Sequence, residues 1–447
     1  MKNLLLIIVL VFVSKSGFSS DTLTIVAVGE ADLQNDKIAF ARLPFPDTFT
    51  GREKKLLEDI PKIFISDFKF YKHLFEVNEN TIINTGESSW KSLGLRYLIK
   101  AKFLKIEKQI TIELNVEDLK EEKEIISITE EVNFKNIRSL AHKINNKVYR
   151  SITNSESIFK SKIVFVSDRT TKKRDIRKEL YIMDFDGARK QRLTYTNSMI
   201  ISPSVSPDNT KIIYSIIESK WRRSSLGKIH KVKNLNLYLM DLRTKKTRLI
   251  SDMNGINSGA VFSADGKDIY LTLSHSKNAD IYKINLKTKK KTKITKHFLD
   301  DVDPHINKAG DKMTFLSGRS GKAMIYTMDP RGLERNVKRI SYVGRFNAAP
   351  RFSPDGKEII FSSWVDNRFD LYKIGSNGNN LVRLTKNFGS NEEAWFSPDG
   401  QFIVFTSQRV ISRKKAVQEI YIMNREGEIL SKITSDFGKN YTPRWSN

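Results

Sequence analysis

With 447 residues, 39% of them apolar and 10% aromatic, the chain is long enough for more than one buried core and too apolar to be disordered throughout. The absence of cysteine excludes disulfides, zinc–thiolate and iron–sulfur centres and a thiol nucleophile. Its 77 Lys and Arg against 51 Asp and Glu leave a formal charge of +26, which points to an anionic partner or surface: nucleic acid, phospholipid headgroups or an acidic protein.

The chain opens on a positive start at Lys2 and an apolar run, Leu4–Val13, followed by small residues at Gly17 and Ser19. That pattern predicts a secretory signal peptide over 1–19, since ten apolar residues reach only about half way through a hydrocarbon core of ~30 Å. No later run approaches a membrane span, so a soluble protein outside the cytoplasm is expected, and nucleic acid drops out as a partner.

Residues 20–157 predict an N-terminal α/β domain. Strands are expected at Thr24–Val28, Lys37–Leu43, Arg96–Ile106, Gln109–Val116 and Ile125–Phe134. A helix is expected over Pro61–Phe68 with Asp59 near its cap, and an amphipathic one over Asn136–Thr153 that buries Leu140, Ile144 and Val148.

From 158 to 447 a repeat takes over. Ser206-Pro207-Asp208-Asn209, Ser263-Ala264-Asp265-Gly266, Ser353-Pro354-Asp355-Gly356 and Ser397-Pro398-Asp399-Gly400 are tight turns, and Asn307-Lys308-Ala309-Gly310 is a decayed copy. The Asp of each turn is expected to close its own turn. A strand centred on Tyr181, Tyr238, Tyr282, Tyr326, Tyr372 and Tyr421 recurs at separations of 57, 44, 44, 46 and 49, and a further strand ends in Arg192-Leu193-Thr194 and its equivalents. Four strands per unit, six times over, predict a six-bladed β-propeller. The first unit lacks its first strand and the chain ends on one, Tyr441–Ser446, so the tail is expected to close the ring. The fold class is therefore an α+β N-terminal domain followed by an all-β six-bladed propeller.

Charge divides between the two parts. Residues 21–157 hold 21 basic and 22 acidic side chains, and residues 158–447 hold 54 and 29. Antiparallel strands put the second-to-third and fourth-to-first connections on one face, where Arg169–Lys178, Lys220–Lys233 and Arg409–Lys415 form long basic loops. No hydrolase elbow, zinc-protease helix or phosphate loop occurs, so no catalytic residue, metal or cofactor is expected. His297 and His305 bracket Asp300, Asp301 and Asp303, a carboxylate cluster of the kind that holds a hard cation such as calcium; because the calcium-loop spacing with its central Gly is missing, it reads instead as a solvated acidic loop between two blades.

The mature chain resembles the TolB family of periplasmic propeller proteins of the Tol–Pal cell-envelope system. The resemblance is carried by Ile38–Pro46, Trp90–Lys105, the helix around Leu140–Ile144, Ile158–Arg169 and the Ser-Pro-Asp-Gly blades. It implies a monomeric, non-catalytic adaptor, active in outer-membrane integrity and in constriction during cell division. It also implies a Pal-like peptidoglycan-associated lipoprotein at the propeller mouth, on Asn197, Met199, Ile256, Asn257, Ser258, Gly259, Asp301, Val302, Asp303, Arg345, Phe346, Asn347, Asn391, Glu392, Glu393, Asn440, Tyr441 and Thr442. A TolA-like inner-membrane protein is implied at an N-terminal segment that includes Asp21, Thr22, Leu23, Thr24, Ile25 and Val26. The alternatives are a glycan-binding or hydrolytic envelope propeller, and nonspecific binding of an anionic membrane surface by the basic propeller.

Overall fold

The computed structural model describes residues 35–446 apart from 80–89, 91, 173–174, 224–226, 277, 333 and 413–414. The signal-peptide reading, the strand expected at Thr24–Val28 and the segment Asp21–Val26 lie outside the described residues. Among the described residues, no helix is long and apolar enough to cross a membrane.

The N-terminal part is a five-stranded sheet of β1 (Asp36–Arg42), β2 (Phe75–Asn78), β3 (Tyr97–Ile106), β4 (Gln109–Asp118) and β5 (Lys123–Glu131), in the order β2-β1-β3-β4-β5. Strand β1 runs parallel to both neighbours, so its connection to β2 must cross over, and helices α1 (Gly51–Leu57) and α2 (Asp59–Phe68) make that crossing. Helix α1 and strand β2 were not anticipated. The signal for α1 was a capping box: the Thr50 side chain accepts from the Glu53 amide, and Glu53 accepts from the Thr50 amide at 2.8 Å. In β4 the residues Ile110, Ile112, Leu114 and Val116 alternate inward. They join Ile60, Phe64 and Phe68 of α2 and Ile144 and Val148 of α3 (Ile137–Thr153) in one core.

Six four-stranded antiparallel sheets follow, one per blade. Blade 1 is made of Asn440–Trp445, Lys162–Ser167, Glu179–Asp184 and Gln191–Arg192, so the last strand of the chain is the innermost strand of the first blade. Asn440 pairs with Ser167 and Trp445 with Ile163. The Trp445 indole donates to Ser161 Oγ at 2.7 Å, and the Lys162 amide donates to Ser446 Oγ at 2.8 Å. Closure leaves no open sheet edge between the two ends of the ring.

The turn aspartates close their own turns. Asp208, Asp265, Asp355 and Asp399 accept from the Ser two residues before and from the amide two residues after. In the decayed copy Asn307 substitutes, accepting from the amides of Asp311 and Lys312.

Two of the expected loops are strands. Lys211–Arg223 pairs with Ile229–Asp241, and Phe402–Ser412 with Lys415–Asn424, so the described parts of the basic segments, 220–223 with 229–233 and 409–412 with 415, lie on strands that lengthen these two blades. In blade 2 the register runs without a slip from Lys211 to Arg223, and in blade 6 it slips once, between Val410 and Ser412.

The N-terminal part seats on the turn-bearing face, over blades 6 and 1. The Tyr71 and Phe402 rings meet at 5.0 Å, and Phe70 and Phe185 at 5.3 Å. Arg138 reaches Asp184 and Asp186 of blade 1, and Lys72 reaches Glu428 of blade 6. Among the described residues, no part of the N-terminal region seats on the opposite face, which carries the hairpins and the fourth-to-first connections.

Candidate functional site: the propeller channel and its mouth

The six innermost strands repeat one pattern. At its first position stand Asn257, Asp301, Asn347, Asn391 and Asn440, each 0% exposed. Asn347 donates to Ser341 Oγ at 2.7 Å, Asn391 to Thr385 Oγ1 at 3.2 Å and Asn440 to Glu419 at 3.0 Å. Ser251 donates to Asn257 at 2.6 Å, and Asp301 takes Arg319 at 2.8 Å. All but the Asp301 pair tie the inner strand of one blade to the outer part of the blade before it. The four asparagines are inter-blade latches, Asp301 is held within its own blade, and burial removes all five from any partner's reach.

Two positions on, Ser202, Gly259, Asp303, Ala349, Glu393 and Thr442 all take positive φ, between 47° and 63°. In five of the six inner strands the register slips across this residue, and in blade 2 it slips between Ile213 and Ser215 of the facing strand. Each is therefore a β-bulge, which re-aims the side chains that follow. Proline comes next at Pro203, Pro304, Pro350 and Pro443, where a lost amide costs nothing on an unpaired inner edge.

The bulges deliver a charged belt into the channel. Arg351 pairs with Asp303 at 2.8 Å and Arg444 with Glu393 at 2.6 Å, and both guanidinium groups lie over the Trp395 ring. Burial raises the Glu393 carboxyl, but Arg444 and Arg351 outweigh it and leave the group below its ordinary value. His305, edge-on to Trp395, accepts at Nδ1 from the Phe352 amide at 3.1 Å. Burial first, then Arg351 and Arg444, push its pKa well below the usual histidine range, so it stays neutral. Next to the belt, burial and the neighbouring Glu393 raise Glu392 to about 7. On the turn-bearing side the channel widens to a vestibule of about 450 Å³, lined by Ser206, Ser263, His305, Asn307, Phe352 and Trp395 among others.

The expected solvated acidic loop is therefore corrected. Asp301 and Asp303 are paired with arginines, Asp300 accepts from the Ala279 amide at 2.8 Å, and His297 Nδ1 accepts from the Leu299 amide at 3.1 Å. A sequence count of carboxylates could not see arginines contributed from 18 and 48 residues later.

On the mouth side, the fourth-to-first connections expose Tyr195 (72%), Phe298 (77%) and Tyr342 (73%), beside Ile256 and Phe346. Arg345 and Asn197 are also exposed, while Met199, Val302 and Tyr441 are half-buried and Ser258 is buried. Lys178 lies over the Tyr441 ring at 3.6 Å, and Asn197 accepts from Arg177 at 2.6 Å. Tyr195, Phe298 and Tyr342 were missed in the sequence. Their signal was available: Tyr195 and Tyr342 each immediately follow the buried Thr or Ser that ends the fourth strand.

The model of the TolB beta propeller domain matches residues 149–348 and 335–447, two thirds of the chain. The chain belongs to the TolB family. Among the similar curated proteins, the Tol-Pal system protein TolB of Francisella tularensis subsp. mediasiatica is 29% identical over 367 residues, 80% of each chain. The protein of the same name from Rickettsia canadensis is 28% identical over 283 residues, 61% of this chain and 59% of its own. The crystal structure of TolB from Acinetobacter baumannii shares the fold, with a TM-score of 0.73 at 24% identity over 92% of this chain and 97% of that one. The TolB fold in this chain is thus a six-bladed propeller carrying a small N-terminal α/β region.

Proposed function

We propose that this TolB-family chain is a non-catalytic adaptor of the Tol–Pal system in the periplasm, and that it docks a Pal-like peptidoglycan-associated lipoprotein at the propeller mouth. The observation that carries this reading is the ring of exposed aromatic side chains around the mouth, Tyr195, Phe298, Tyr342 and Phe346, standing over a belt whose charges are already paired. Exposed aromatics on open loops are costly unless something covers them, and aromatic residues are the usual anchors of protein interfaces. The names of the similar curated proteins support membership of the Tol–Pal system.

Within this reading the exposed members of the proposed docking set do the work: Asn197, Ile256, Arg345 and Phe346, with Glu392, Tyr441, Thr442, Val302 and Gly259 at the channel opening. The buried Asn257, Asn347, Asn391, Asn440 and Asp301 hold the loops in place. The N-terminal segment Asp21–Val26 engages a TolA-like inner-membrane protein, and the two sites are coupled, so each partner changes the other's affinity by the same factor. The role served is outer-membrane integrity and constriction at division.

Titration calorimetry with the periplasmic domain of the Pal-like lipoprotein encoded in the same genome tests the proposal. Wild type should bind, and Phe346→Ala with Tyr342→Ala should weaken binding by at least about tenfold, as removal of interface anchors does. A wild-type chain that gives no heat with the lipoprotein, but does with peptidoglycan fragments, would transfer the site to glycan.

A further inference from the structure

The hairpins of blades 6 and 2 flank the shorter blade 1 connection in the ring and rise from the same face as it. In blade 5 the second-to-third hairpin turns after Val365, four residues beyond Phe361. Blade 2, aligned on Tyr214, remains paired out to Arg223 and Ile229, nine residues beyond. The excess of five residues projects that tip about 16 Å further at ~3.3 Å per residue. Blade 6, aligned on Phe405, stays paired to Ser412 and Lys415, three residues further than blade 5.

Their composition is one-sided. Residues 220–233 contain six Lys and Arg and no acid, residues 409–415 four and no acid, and the blade 1 connection 169–178 six against one acid. Apolar side chains sit among these charges and are bare: Trp221 71%, Ile229 61%, Val410 78%, Ile411 61% and Ile176 62% exposed. Register places Trp221 opposite Lys231 and Arg223 opposite Ile229, so Trp221 and Ile229 share one face of the ribbon with Arg223, Lys231 and Lys233. Solubility alone is served by the lysines and gains nothing from a bare tryptophan. Blades 2 and 6 thus both extend past blade 5, and each carries bare apolar side chains among cations, an arrangement that meets a flat surface far better than a concave one.

We infer that the extended hairpins of blades 2 and 6 are a docking surface for an anionic phospholipid bilayer, with Trp221, Ile229, Val410 and Ile411 entering the headgroup region and Arg223, Lys231, Lys233, Arg409 and Lys415 held at phosphate level. The surface lies beside the mouth and uses none of the residues proposed to dock the lipoprotein, so it stands or falls separately from that site.

Flotation of the chain lacking residues 1–19 tests it, with vesicles of phosphatidylethanolamine and phosphatidylglycerol compared with phosphatidylcholine vesicles. The chain should float with the anionic vesicles alone and lose most of that binding between about 0.1 and 0.5 M salt, where screening becomes short-ranged. Trp221→Ala with Ile229→Ala should lower the bound fraction at least about fivefold at unchanged charge, and so should Arg223→Gln with Lys231→Gln and Lys233→Gln; both variants lie outside the core and should melt as wild type does. Phe346→Ala should float normally. No flotation of the wild type would overturn the inference. So would full binding by the Trp221/Ile229 variant together with displacement by polyglutamate, which would mark a general polyanion surface in place of a bilayer site.

Discussion

The Tyr71 hydroxyl, in the N-terminal part, donates to the Asp399 carboxylate of blade 6 across 2.6 Å and accepts from the Ile158 amide at 3.0 Å. One side chain thereby joins three places: the helical layer under the first sheet, the segment leading into the ring, and a propeller turn. Burial pushes the tyrosine hydroxyl well above its ordinary value and also raises Asp399, so the proton stays on Tyr71. Tyr71→Phe keeps the ring packed on Phe402 but takes the partner from the Ile158 amide and from Asp399 Oδ2. Chemical denaturation should show a loss of about 1–3 kcal/mol, whereas Ser353→Ala in the equivalent turn of blade 5 should cost less.

Glu392 supplies a pH dependence. Its folded pKa of about 7 lies above the ordinary carboxylate range, so the folded chain binds a proton that the unfolded chain has released between the two values. The stability from this group is full below the unfolded pKa and is lost as pH rises through about 7. Glu392→Gln should therefore be more stable than wild type at pH 8 by about 1–3 kcal/mol, with the gap closing towards pH 4. Melting curves across that range check the sign; a gap that widens towards acid would contradict the burial of this carboxyl.

The channel belt should respond as a pair. Arg444→Met leaves the half-buried Glu393 without its paired guanidinium and should cost about 1–3 kcal/mol, while Arg444→Met with Glu393→Gln should recover much of the loss. A double variant no better than the single one in urea titrations would show that Arg444 acts mainly through its stacking on Trp395.

Latch and mouth should separate by readout. Asn391→Ala removes a buried inter-blade link and should destabilise by about 1–3 kcal/mol. Phe346→Ala, at an exposed rim position, should stay within about 0.5 kcal/mol of wild type and show its effect only on partner binding.

Removal of residues 441–447 takes away most of the strand that pairs with Lys162–Ser167 and the Trp445–Ser161 bond. Calorimetry should show the cooperative transition lost or broadened, because an opened ring exposes two strand edges and the core beneath them. A truncated chain that melts as sharply as the full one would mean that the tail strand is dispensable.

The ring was legible in the sequence because each blade restates the same local chemistry. Turn residues, alternating strands and the six scheduled tyrosines depend on neighbours a few positions away, and the incomplete first and last units together imply closure. Helix α1 and strand β2 escaped because both are short, and β2 is held by parallel pairing to a distant strand. The docking set was only half legible. Sequence alignment of the repeats finds the loop positions but cannot say which way a side chain points. The β-bulge turns Asp303, Glu393, Arg351 and Arg444 into the channel, and the inter-blade contacts bury Asn257, Asn347, Asn391 and Asn440. Period and composition are local properties that the chain carries by itself. Which charges meet, which asparagines become latches and which aromatics are left bare depend on residues tens to hundreds of positions apart, and only the closed ring brings those together.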